Sequence, residues 1–89
     1  MIYKIEYSKL AQKTLDKLDS SSRKQILKYV NGVLSRIESL RDLGKALTGN
    51  LGNFWRYRTG NFSIICEIKD DVLVVLILKI AHRKRAYVD

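Results

Sequence analysis

Two periods of apolar residues follow one another at the start of the chain. Ile2 to Tyr7 sets Tyr3, Ile5 and Tyr7 against Ile2, Lys4 and Glu6, an alternation of period two that predicts a short strand. Ser8 is placed to cap a helix in which Leu10, Ala11, Thr14, Leu15 and Leu18 share one face. The polar run Asp19-Ser20-Ser21-Ser22 ends that helix and caps a second. The second helix is expected to reach about Leu40, with Ile26, Val30, Val33, Ile37 and Leu40 as its apolar stripe. So short a connection predicts a helical hairpin.

The period changes after residue 40. Gly44, Gly49, Asn50 and Gly52 mark Arg41 to Gly52 as a loop. Phe54 to Arg58 then reads as a strand, and Gly60-Asn61 turns the chain into another over Phe62 to Ile68. Lys69-Asp70-Asp71 turns it again into Val72 to Ile80. Val72 to Leu78 is apolar at every position, which predicts a central strand covered on both faces. Turns this short cannot carry crossovers, so the three strands form an antiparallel meander. The order β-α-α-β-β-β makes an α+β fold, a two-layer sandwich with the helical hairpin on a mainly antiparallel four-stranded sheet. The 89 residues are expected to be one domain, 1–89, without linker or repeat.

Charge adds what patterning leaves open. Seventeen Lys and Arg against nine Asp and Glu give a formal net charge of +8, and the pI is near 9.8. A small domain this basic suits a polyanion or an acidic protein partner. The first forty residues carry interspersed lysines, as on a solvated helix face. Lys79 to Arg85 instead holds Lys79, Arg83, Lys84 and Arg85 with no acid between them. The lone Cys66 sits in an apolar run and reads as buried filler. No stretch has the length of a signal peptide or a membrane span, so a cytoplasmic protein without membrane contact is expected. No spacing of His, Cys, Asp and Glu suggests a metal site, and no glycine-rich phosphate loop or Ser-His-Asp set is present. No cofactor is expected.

Three runs concentrate the chemistry: Asn53-Phe54-Trp55-Arg56-Tyr57-Arg58, then Thr59-Gly60-Asn61-Phe62, then Ala81-His82-Arg83-Lys84-Arg85-Ala86-Tyr87. They would bring Arg56, Arg58, His82, Arg83, Arg85 and Tyr87 around one face of the sheet. Arg56 and Arg58 share a strand face by the period-two rule, with Trp55 and Tyr57 on the other, toward the helices. Cations beside an imidazole and a phenol suit RNA cleavage. The 2′-hydroxyl of RNA attacks the adjacent phosphate when a base removes its proton, an acid protonates the leaving oxygen and cations offset the phosphorane charge. Histidine titrates near neutrality, whereas a tyrosine needs cationic neighbours to act as a base. Ordinary structure also accounts for these residues: a packed histidine, a surface tyrosine, and a solvated tail or acidic-segment dock at Arg83-Lys84-Arg85. Ser63 reads as an outward strand position.

The element order, Leu43-Gly44-Lys45-Ala46-Leu47, Trp55-Arg56-Tyr57-Arg58 entering Gly60-Asn61-Phe62, and the ending Ile80-Ala81-His82-Arg83 with Tyr87 together resemble the RelE/ParE superfamily of bacterial and archaeal toxins. The resemblance spans essentially the whole chain. It implies a toxin neutralised by an antitoxin encoded beside it, with operator DNA bound through the complex. RelE-type members cut mRNA in the ribosomal A site; ParE-type members poison gyrase. Carried over by position, Tyr87 acts on the 2′-hydroxyl, Arg83 faces the scissile phosphate and His82 stands where relatives have His or Lys. Arg56, Arg58 and the loop residue Lys45 hold the RNA backbone, and Arg85 adds positive charge. One departure is Phe62-Ser63, where many active members have an aromatic followed by arginine. The resemblance favours a ribosome-dependent mRNA endoribonuclease. A gyrase poison and a non-catalytic antitoxin-binding protein are the alternatives.

Overall fold

The computed structural model describes residues 3–36, 44–46 and 54–82. β1 (Lys4–Tyr7) leads into α1 (Lys9–Lys17) and α2 (Ser20–Tyr29), which runs on as a π-helical turn over Val30–Leu34. β2 (Lys45–Ala46), β3 (Phe54–Thr59), β4 (Phe62–Lys69) and β5 (Val74–His82) follow. The five strands form one sheet in the order β1-β5-β4-β3-β2. β1 runs parallel to β5, and the other pairings are antiparallel. The expected α+β sandwich is present, with one strand more than the four anticipated. Lys45 and Ala46 pair with Arg56 and Trp55 and so belong to the sheet rather than to a loop.

Both expected caps form. The Ser8 hydroxyl accepts from the Ala11 N–H at 3.0 Å, and the Asp19 carboxylate accepts from the Ser22 N–H at 3.1 Å. Hydrogen bonding from Ser22, its side chain first and its N–H second, lowers the Asp19 carboxyl from its ordinary value. Arg23 reaches back from α2 to donate to the carbonyls of Leu15, Asp16 and Leu18, at 3.2, 3.2 and 2.8 Å. A guanidinium thus supplies partners to carbonyls left over at the end of α1.

The second helix departs from its predicted stripe. Ile26 and Val30 are fully buried as expected, but Leu34, not Val33, is the next fully buried residue. The Ser35 N–H donates to the Val30 carbonyl, five residues back, and this wider turn delays the apolar phase by one position. The Ser35 carbonyl then accepts from the Tyr3 N–H. Ile37 and Leu40 lie outside the described residues. On α1, Ala11 and Leu15 are buried, whereas Leu10 is mostly exposed and leaves the predicted face.

The core lies between helices and sheet. α1 packs on β5, α2 on β3 and the π-turn on β1. Tyr57, Phe62, Ile64, Cys66, Ile68, Val75, Ile77 and Ile80 form the sheet's contribution. β5 is an interior strand, second in the sheet rather than central, and only one of its faces is fully covered: Leu76 and Leu78 are half-buried and Lys79 is exposed. The apolar run also enters its strand later than expected, since residues 70–73 are a turn with Val72 exposed and Leu73 at φ 55°. Cys66 is wholly buried, and burial pushes its thiol up to about 12.

Candidate nucleic-acid interface

The strand register sorts the second face of the sheet, the one away from the helices, into rows that cross the strands. Lys45 pairs with Arg56, Arg56 with Ile65, and Ile65 with Lys79. The next row toward the β3–β4 hairpin is Arg58, Ser63 and Ala81. On the other side come Phe54, Glu67, Leu76 and Glu6, and beyond them Lys69, Val74 and Lys4. Charge is therefore segregated by row. Lys45, Arg56 and Arg58 occupy the hairpin half without an acid among them, and Glu67 and Glu6 lie in the adjacent row.

Local sequence builds this half. Gly60, at φ +56°, allows the two-residue turn that sets Thr59 opposite Phe62 and fixes every pair behind it. Gly44 lets β2 approach: a Cβ there would lie 2.6 Å from Cε1 of the buried Tyr57 ring. Lys45 then falls directly opposite Arg56. Like charges in such a pair are destabilising, so the juxtaposition suits an anion more than it suits the fold. Ser63 takes the outward strand position expected of it, with Arg58 as its cross-strand partner, yet is only 5% exposed.

His82 does not join this face. It pairs with Phe62, and the two rings meet edge to face at 5.3 Å between centroids. Phe62 is buried on the helix side, so the imidazole sits at the rim of that layer rather than beside Arg56 and Arg58. The cause is a β-bulge. Cys66 pairs with Ile77 and Ile65 with Lys79, which leaves Leu78 extra on β5. One extra residue inverts the side-chain alternation beyond it: Lys79 and Ala81 turn to the open face, Ile80 and His82 to the helices. The bulge has a dedicated partner in Ser8, whose hydroxyl donates to the Leu78 carbonyl at 2.8 Å. Arg83, Arg85 and Tyr87 lie outside the described residues.

The remaining titratable groups near the core have structural roles. Tyr7 and Tyr29 are raised above the ordinary phenol value by burial first and by Cys66 second. Cys66, buried and held protonated, is no nucleophile. Among the described residues no cluster of His, Cys, Asp and Glu is placed to hold a metal ion, and no helix is long and apolar enough to cross a membrane.

Residues 5–87 match the model of the ParE toxin family of the type II toxin–antitoxin system parDE. Toxin RelG of Mycobacterium tuberculosis is 31% identical over 87 residues, covering 98% of both chains. A structure of the RelBE2 toxin–antitoxin complex from the same organism superposes with a TM-score of 0.83 at 26% identity, covering 93% of each chain. The isolated Escherichia coli RelE toxin gives 0.76 at 22% identity, over 97% of this chain and 89% of that one, and so shares the fold.

Proposed function

Since the chain belongs to the RelE/ParE superfamily of toxins from type II toxin–antitoxin modules, we propose that it is a ribosome-dependent mRNA endoribonuclease. The observation that carries this reading is the placement of Lys45, Arg56 and Arg58 on one face of the sheet. Three cations from two strands hold a phosphate backbone without requiring a particular base, as phosphate contacts do. Arg83 and Arg85 offset charge on the phosphorane, and Tyr87 takes the 2′-hydroxyl proton. The 2′-oxygen bonds to phosphorus, the 5′-oxygen leaves with a proton, and a 2′,3′-cyclic phosphate and a 5′-hydroxyl result. His82 acts from the rim, against Phe62, as the proton donor to the leaving oxygen. The work is done in the cytoplasm.

An antitoxin neutralises the protein. Toxin–antitoxin complexes are among the similar solved structures, and an acidic antitoxin segment would compete for the same cations. Operator DNA is bound through that complex.

The test is primer extension on a defined mRNA held on ribosomes with an empty A site. A cut that requires ribosomes and is lost in Arg56→Ala, Arg83→Ala and Tyr87→Phe supports the reading. No cut at any codon refutes it. Ser63, where many active relatives have arginine, favours one second reading, a gyrase poison, and a supercoiling assay with purified gyrase would detect that activity.

A further inference from the structure

Resting on the RNA-binding reading above, we propose that Lys79 is a fourth backbone-holding cation, and that single-stranded RNA crosses the open face along Lys45, Arg56, Ile65 and Lys79, at right angles to the strands. The register alone puts these four in line across β2, β3, β4 and β5. With strands about 4.8 Å apart, Lys45 and Lys79 stand about 14 Å from one another, room for more than one phosphate. Ile65, half-buried between Arg56 and Lys79, is an apolar floor under the path.

Two features single out Lys79 from the exposed lysines of the helices. It is turned outward by the Leu78 bulge, an interruption of the ladder that would otherwise point residue 79 to the same side as Ile77. No carboxylate of the described residues pairs with it or with Lys45 or Arg56. Glu67 and Glu6 occupy the neighbouring row and repel a polyanion from it, which confines the path on that side. A peptide added to the sheet would run along an edge strand. This row crosses four strands on the face, where a chain carrying charge along its own backbone fits.

The experiment is anisotropy of a labelled twelve-residue oligouridylate titrated with the full-length protein at several salt concentrations. Each phosphate contact to a single strand contributes about 0.7 to the slope of log affinity against log salt. Lys79→Gln is expected to weaken binding roughly fivefold and to flatten the slope by about 0.7, the loss of one phosphate contact. Lys79→Arg restores both, Glu67→Gln tightens binding, and Lys24→Gln on α2 changes neither affinity nor slope. Parental values in Lys79→Gln, with binding still lost in Arg56→Ala, overturn the path and leave the RNA-binding reading standing. Equal losses in Lys79→Gln and Lys24→Gln overturn it as an effect of net charge. Unchanged RNA binding with weakened antitoxin binding reassigns Lys79 to a protein partner. No binding by the parent overturns the path, while the primer-extension assay on ribosomes decides the endoribonuclease reading separately.

Discussion

Replacing Ser8 by alanine removes one hydroxyl that serves two elements. The oxygen accepts from the Ala11 N–H at the start of α1, and its proton goes to the Leu78 carbonyl on β5. Loss of a serine N-cap costs about 1 kcal/mol. Leaving a part-buried carbonyl without a donor costs about another 1 kcal/mol, the low end for such groups. The sum is about 2 kcal/mol, and at about 4–8 °C per kcal/mol for a domain of this size the melting temperature falls by about 8–16 °C. The main-chain bond from the Ser8 N–H to the Ile77 carbonyl survives in the variant, so the strand pairing is retained. Thermal and urea denaturation of the parent, Ser8→Ala, Ser8→Thr and Ser8→Asp separate the two contributions. Threonine keeps both bonds and should behave nearly as the parent. Aspartate caps the helix but cannot donate to Leu78, and should fall between parent and alanine. Amide exchange at Leu78 to Ile80 should accelerate in the alanine and aspartate variants. A Ser8→Ala protein within about 0.5 kcal/mol of the parent, the range of ordinary surface substitutions, refutes the assignment of both bonds.

Gly44→Ala drives a methyl group into the Tyr57 ring, so a loss of about 1–3 kcal/mol is expected, together with weaker oligouridylate binding as Lys45 is displaced; an unchanged melting curve contradicts it. Arg23→Ala takes the guanidinium from the Asp16 and Leu18 carbonyls and leaves Leu15 only the Leu18 N–H, and should cost about 2 kcal/mol, with Arg23→Lys recovering only part of it in the same melt. Cys66 has its folded pKa raised to about 12 from an ordinary 9.0, so its contribution is intact below pH 9 and is lost as pH rises from 9 to 12, at up to about 1.4 kcal/mol per unit. Urea titrations across that window should give a shallower decline for Cys66→Ala than for the parent; equal slopes refute it.

Much of the fold was legible because its periods are clean. β1, α1, the start of α2, both N-caps and the Gly60-Asn61 hairpin occur where alternation and turn residues put them, whereas the second helix, expected to reach about Leu40, gives way to a turn at Ser35. The parts that were not legible share one cause, a local irregularity that side-chain pattern does not encode. Val72 to Leu78 is apolar at every position, so it has no alternation for a bulge to break, and neither Leu78 nor the face of His82 could be read from it. The π-turn moves the buried position from Val33 to Leu34 through a backbone bond five residues long. Two residues of strand at Lys45–Ala46 are too few for a period, and only the contact of Gly44 with Tyr57 explains them. Arg56 and Arg58 were paired correctly by the period of two. Lys79 escaped notice as part of that face because its place depends on the register of three pairings. Arg23 carries no signal at all, since a helix arginine in sequence looks like any other.

The parallel pairing of β1 with β5 has a kinetic consequence. Ser8 and Leu78 are separated by 70 positions, and every residue of β1 waits for a partner about as distant. Synthesis delivers β1 first and β5 last of these strands, so the sheet cannot close on the growing chain until β5 has been made. Closing so long a loop precedes any gain from the contacts within it, which makes this step a candidate for the folding barrier. The bulge that turns Lys79 outward forms where β5 pairs with β4, so it too waits for that last strand. A nascent copy therefore has its helices before it has its cation row, and the protein acquires its full means of gripping a polyanion only once β5 has been made.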